Sequence, residues 1–182
     1  MNAMEWLGAP ELLRSLGLTV DGPARWGAPV TSRAPGIIVV ELPSGADSAP
    51  IDLQALRRWL DRVPSLMLDG QRPTPQVLQK RLAQDWHAGQ PVLFVGRSTK
   101  SIGARLAAIY ATTLGDAKPN SAGHWLKTLA NPGELRVWWA ETPAFEEYED
   151  ALLEALGTTP WANNVLPASL RSEAAMVAAA EK

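Results

Sequence analysis

The chain of 182 residues has no cysteine, and only two tyrosines, two phenylalanines and two histidines. Without cysteine there is no disulfide framework, no thiolate metal site and no thiol nucleophile. His87 and His124 stand in no two-ligand spacing, so the sequence offers no zinc site. No stretch approaches the roughly 18 uninterrupted apolar residues of a membrane helix. The N-terminal segment has Glu5 and Glu11 around a short apolar patch, and lacks the basic start, long apolar core and small-residue cleavage site of an export signal. The expectation is a cytoplasmic protein that crosses no membrane. Gly96-Arg97-Ser98-Thr99-Lys100 lacks the glycine spacing of a P-loop, which removes nucleotide hydrolysis from consideration.

What is present is the composition of one globular domain: 46% hydrophobic residues, 20% charged, and a formal net charge of −2. That net charge argues against coating nucleic acid by bulk attraction, but the charges are unevenly spread. Residues 91–133 carry Arg97, Lys100, Arg105, Lys118 and Lys127 against Asp116, a net of +4. Residues 134–156 carry seven acids against Arg136, a net of −6. A solvated surface of mixed sign explains this, and so does a phosphate-binding face beside a metal-binding carboxylate. The eight tryptophans are expected mainly in the core, where large aromatics dominate packing.

Along the chain, residues 5–18 read as a short helix opened by Pro10 and closed at Gly17, and the Gly/Pro-rich stretch 19–35 as a loop. Gly36–Leu42, a β-branched run between Pro35 and Pro43, reads as a strand. A helix is expected from Asp52, with Leu53, Leu56, Leu60 and Val63 on one face. A second runs from the Thr74-Pro75 start to Gly89. Pro91–Val95 is a strand leading into Gly96-Arg97-Ser98, followed by a helix over 101–112, a polar loop over 115–123 and a short helix near Trp125–Leu129. Leu135–Ala140 is a third strand, and a last helix follows Thr142-Pro143 and stops at Gly157. Residues 168–182 form a flexible or helical tail. Few strands separated by helices give an α/β or α+β architecture with a small sheet.

Two charged residues fall on apolar helix faces. On a helical wheel, Phe145, Leu152, Leu153 and Leu156 all lie within about 60° of Glu149. Ile102, Ala108 and Ile109 likewise lie within about 60° of Arg105. An inward carboxylate needs a cation, a metal or several donors. Glu149 and Arg105 either pair with each other or flank a pocket for a phosphate and a divalent ion.

The order of these features resembles the GIY-YIG nucleases. Gly36-Ile37-Ile38 is similar to the first motif strand and Phe94-Val95-Gly96-Arg97-Ser98 to the second. Arg105 in Ser-Ile-Gly-Ala-Arg-Leu resembles the family arginine, Glu149 the metal-binding glutamate, and Asn163 or Asn164 the following asparagine. The resemblance covers about residues 26–166, with an inserted helical segment at about 44–90. It implies a small, mostly antiparallel sheet flanked by helices, and a DNA endonuclease using Mg²⁺ or Mn²⁺. In that scheme Arg105 holds the scissile phosphate, Glu149 binds the metal, and Asn163 orients the site. Arg97, Ser98, Lys100 and His124 are then the expected substrate contacts. The chain departs from the family at three positions: Ile38 and Phe94 replace the two motif tyrosines, and Ile109 stands where histidine or tyrosine is common. Tyr110 lies about 140° from Arg105 on its helix and is a poor substitute. The alternative is a descendant that cleaves nothing and binds DNA or a protein partner.

Overall fold

The computed structural model describes residues 5–116 and 124–164. The tail at 168–182 and most of the 115–123 loop lie outside the described residues. A four-stranded antiparallel sheet organises the chain. Its strands are β1 (Asp21–Arg25), β2 (Gly36–Glu41), β3 (Val92–Ser98) and β4 (Arg136–Glu141), in the order β1-β4-β2-β3. Among the described residues five α-helices accompany it: α1 (Ala9–Ser15), α2 (Leu53–Arg62), α3 (Pro75–Ala83), α4 (Ile102–Ala111) and α5 (Phe145–Leu156). None of the helices described is long and apolar enough to cross a membrane.

β2 lies inside the sheet and is buried at every residue, which explains its unbroken run of apolar β-branched side chains. Alternation along it sends Ile38 and Val40 into one core layer and Ile37 and Val39 into the other. The first layer packs against α2, α3 and α4, the second against α1 and α5. The register slips between Val40, opposite Phe94, and Glu41, opposite Val92. β3 therefore holds one extra residue, and Leu93 and Phe94 both face the first layer.

Helix boundaries follow local chemistry. The Asp52 carboxylate accepts from Gln54 N at the start of α2, the Thr74 hydroxyl from Val77 N at α3, and the Ser101 hydroxyl from Ala104 N at α4. The start of α4 is fixed to the preceding loop as well. Ile102 N donates to Ala34 O and Gly103 N to Ser32 O, and a Cβ at Gly103 would come within 2.2 Å of Val30 O. Only glycine permits that approach.

Three expectations need correction. The stretch 19–35 is not all loop: Asp21–Arg25 pairs with β4, an edge strand whose exposed residues carry no apolar alternation. The first helix spans only Ala9–Ser15 of the expected 5–18, although Pro10 lies in its first turn and Gly17, with φ +78°, ends it as the sequence indicated. The helix that begins at Pro75 ends at Ala83, well short of Gly89, and Trp86 beyond it bonds through its indole N–H to Ala46 O.

Candidate functional site

The exit of β3 brings Arg97 to Glu149 on the α5 side of the sheet, whereas Ile38 and Phe94 face the other core layer. Arg97 shares the α5-facing side of β3 with Val95, and reaches α5 with its guanidinium. Its Nη1 stands 3.2 Å from Glu149 Oε2 and 3.6 Å from Glu146 Oε1. The cation that meets Glu149 is thus Arg97, one of the expected substrate contacts, and not Arg105. Glu149 retains only 19% of its side-chain exposure against 42% for Arg97. Burial raises the Glu149 pKa; Arg97 opposes this, Asp150 and Glu146 reinforce it, and Arg105 has a weaker lowering influence. The Arg105 side chain is half-buried on α4, and among the described residues it makes no hydrogen bond or ion pair.

The three substituted positions are sealed. Ile38, Phe94 and Ile109 are 1%, 4% and 3% exposed. Ile38 and Phe94 pack with Ile102 and Leu106 in the helix-bearing layer. Ile38 lies opposite Gly96, and the Phe94 ring covers Gly96 so closely that a Cβ there would meet its Cζ at 2.4 Å. Apolar packing therefore fills the place where the family's hydroxyls are expected.

Asn163 is held to the backbone. Its Oδ1 accepts from Val95 N at 2.9 Å and its Nδ2 donates to Val95 O at 2.7 Å. Both polar atoms of the carboxamide are engaged with the outer edge of β3. Asn164 instead donates to Trp161 O within its own turn. Ser98 is buried opposite Gly36, while Lys100 is exposed at the turn into α4.

His124 is a correction. Expected as a surface phosphate contact, it is 4% exposed, and both ring nitrogens are buried without a hydrogen-bond partner among the described residues. Burial lowers its pKa, Lys127 lowers it further, and Asp116 works in the opposite direction, so the ring is neutral at pH 7. It starts the 3-10 turn Trp125–Thr128, which packs on α2, away from the exit of β3.

Two features escaped the sequence. Arg97 sits two residues beyond Val95 and so points to the same side; that alternation was readable, but the partner on α5 was not. Glu41, the last residue of β2, is 5% exposed and bridges two elements. Its Oε2 accepts from Ala9 N at 2.7 Å and its Oε1 from Trp138 Nε1 at 2.8 Å.

Glu149→Gln gives a directional test of this electrostatic arrangement. Its folded-state pKa is raised, so the native state holds the proton more tightly than the unfolded chain does. That contribution is fully present below the unfolded carboxylate pKa of about 4.3 and is lost as pH rises through the folded value. Wild-type stability is expected to fall across that window relative to Glu149→Gln. Half-exposed Arg97 keeps Glu146, so the substitution leaves no buried cation stranded and costs under about 1 kcal/mol at pH 7. Urea melts of both proteins from pH 3 to pH 8 check it; a difference that does not change with pH contradicts it.

No protein-family model matches the chain, and neither a curated protein nor a solved structure is found to be similar to it.

Proposed function

We propose that this chain is a GIY-YIG-like module that binds a DNA phosphodiester without hydrolysing it. The observation that carries the reading is the Arg97–Glu149 ion pair, which puts a guanidinium on the carboxylate that a nuclease of this kind needs for its metal. Among the described residues no three His, Cys, Asp or Glu side chains are grouped to hold a metal ion. Glu149 alone, already paired, is a poor donor set for Mg²⁺ or Mn²⁺, which take several oxygens. The burial of Ile38, Phe94 and Ile109 supports the same reading, since no hydroxyl stands there to activate water. Arg105, without a side-chain partner among the described residues, and exposed Lys100 are the groups that would meet a phosphate. Asn163 supports them indirectly by fixing β3. A cytoplasmic setting agrees with a chain free of cysteine.

One observation favours a second reading, a slow metal-dependent endonuclease: Glu149 keeps 19% of its side-chain exposure, so its carboxylate still reaches solvent beside Arg97. A divalent ion would have to displace Arg97. The two readings separate in one set of measurements, using a short duplex DNA with and without Mn²⁺. Binding by fluorescence anisotropy is expected without metal, weakened about tenfold by Lys100→Glu with Arg105→Gln, with the duplex left intact. Multiple-turnover cleavage that Glu149→Gln abolishes would overturn the binding-only proposal in favour of the nuclease. Absence of both binding and cleavage would sink the nucleic-acid reading altogether.

A further inference from the structure

A second site lies elsewhere on the molecule, where the C-terminal end of α4 meets α2. There the structure has an open pocket of about 480 Å³. Its walls combine the rings of Trp26, Trp59 and Tyr110 with the cationic groups of Arg58, Arg62 and Lys127, and among the described residues its lining holds no carboxylate of its own. A pocket of this size matches a small organic ligand.

The side chains divide the work. Trp26 and Tyr110 meet edge to face with centroids 4.9 Å apart, fixing an aromatic corner. Trp59 is 4% exposed and forms a rigid wall. Lys127 is tied down, its Nζ donating to Ile109 O and Tyr110 O at the end of α4. Arg62 is held by Asp116 at 2.7 Å. Arg58 is different: 73% exposed, its nearest carboxylate, Asp52, stands 3.9 Å away, so its guanidinium is the adjustable cation at the rim. The Tyr110 hydroxyl is buried beside the Gly27 backbone, so Tyr110 offers the pocket its ring alone. Rings to stack on and a fork-shaped cation suit a planar ring that carries an anion.

We propose that this pocket binds a nucleoside monophosphate, with the base against Trp26 and Tyr110 and the phosphate towards Arg58 and Arg62. The proposal does not depend on the reading of the β3 exit, because none of the pocket residues belongs to that site. The same chemistry is offered by a free nucleotide and by the phosphorylated end of a strand.

Isothermal titration of the full chain tests it, with adenosine 5′-monophosphate, adenosine, inorganic phosphate and a 5′-phosphorylated single-stranded trinucleotide as separate probes. Saturable 1:1 binding is expected for the nucleotide or the trinucleotide, the stronger of the two naming the source. Adenosine and phosphate alone are each expected to be at least about tenfold weaker. Arg58→Glu is expected to weaken binding about tenfold or more, whereas Arg57→Glu, the same charge change at an exposed neighbour outside the pocket, shifts it less than about twofold. Trp26→Leu, in a sample shown by its melt to be folded, brings the nucleotide down to the affinity of phosphate. No saturation with either phosphorylated probe, or equal losses in Arg57→Glu and Arg58→Glu, overturns the proposal.

Discussion

Replacing Glu41 with alanine is expected to lower the unfolding free energy by about 3–5 kcal/mol. Two charge-assisted bonds disappear together, leaving the buried Ala9 N–H and the part-buried Trp138 indole N–H without their acceptor. The effect concentrates on α1, whose first N–H groups have no partner within the helix. α1 brings Ala9, Leu12 and Leu13 into the layer shared with α5, so loosening its start also loosens that layer. Glu41→Gln keeps one acceptor oxygen and presents an amide to the other donor, so its cost falls between wild type and alanine. Guanidinium denaturation gives the totals, and amide exchange at Ala9 and Leu12 shows the local opening. A total loss below about 1 kcal/mol for the alanine variant would refute the bridging role.

Trp161→Ala is expected to be the most damaging single change, at about 4–6 kcal/mol, combining a large-to-small cavity with an orphaned carbonyl. Trp161 is 1% exposed and meets both Trp86 and Trp125 edge to face at centroid distances of 5.3 Å. Its Nε1 donates to Leu82 O at the end of α3. One side chain thus ties the helical segment between β2 and β3 to the chain's last described turn. That turn also carries Asn163, so the same substitution frees β3 from its carboxamide clamp. Trp161→Phe keeps much of the ring contact and loses the donor, at about 1–3 kcal/mol. Denaturation midpoints of the two variants measured side by side decide it; equal losses would mean that ring volume matters little.

The strands and helices with strong local signals were legible in the sequence. β2 announced itself by six buried residues between two prolines, and α2, α3 and α4 by Asp52, Thr74 and Ser101 at their starts. β1 was not, because its Asp-Gly-Pro-Ala-Arg run becomes a strand only through its partner β4. The antiparallel arrangement came from the resemblance to the nucleases, since alternation of strands and helices alone suggests parallel pairing. At the site, the helical wheel gave the inward tilt of Glu149 but could not choose its partner. The wheel pointed to Arg105, and only the placement of β3 beside α5 shows that Arg97 makes the contact. His124 was misplaced because nothing local distinguishes a histidine that opens an exposed turn from one packed beneath a helix.

The carboxamide clamp on Val95 bears on how copies of this chain behave when crowded together. An open sheet invites a strand from a neighbouring molecule wherever backbone N–H and C=O groups are left free at its margin. On the β3 side, Asn163 already occupies the N–H and C=O at mid-strand. On the β1 side, Pro23 offers no N–H and interrupts a short, charged strand. Both margins are thus blunted by side-chain chemistry, so runaway strand addition is discouraged without a covering helix. Losing Asn163 would reopen one of them, and Asn163→Ala would then show its harm first as concentration-dependent precipitation.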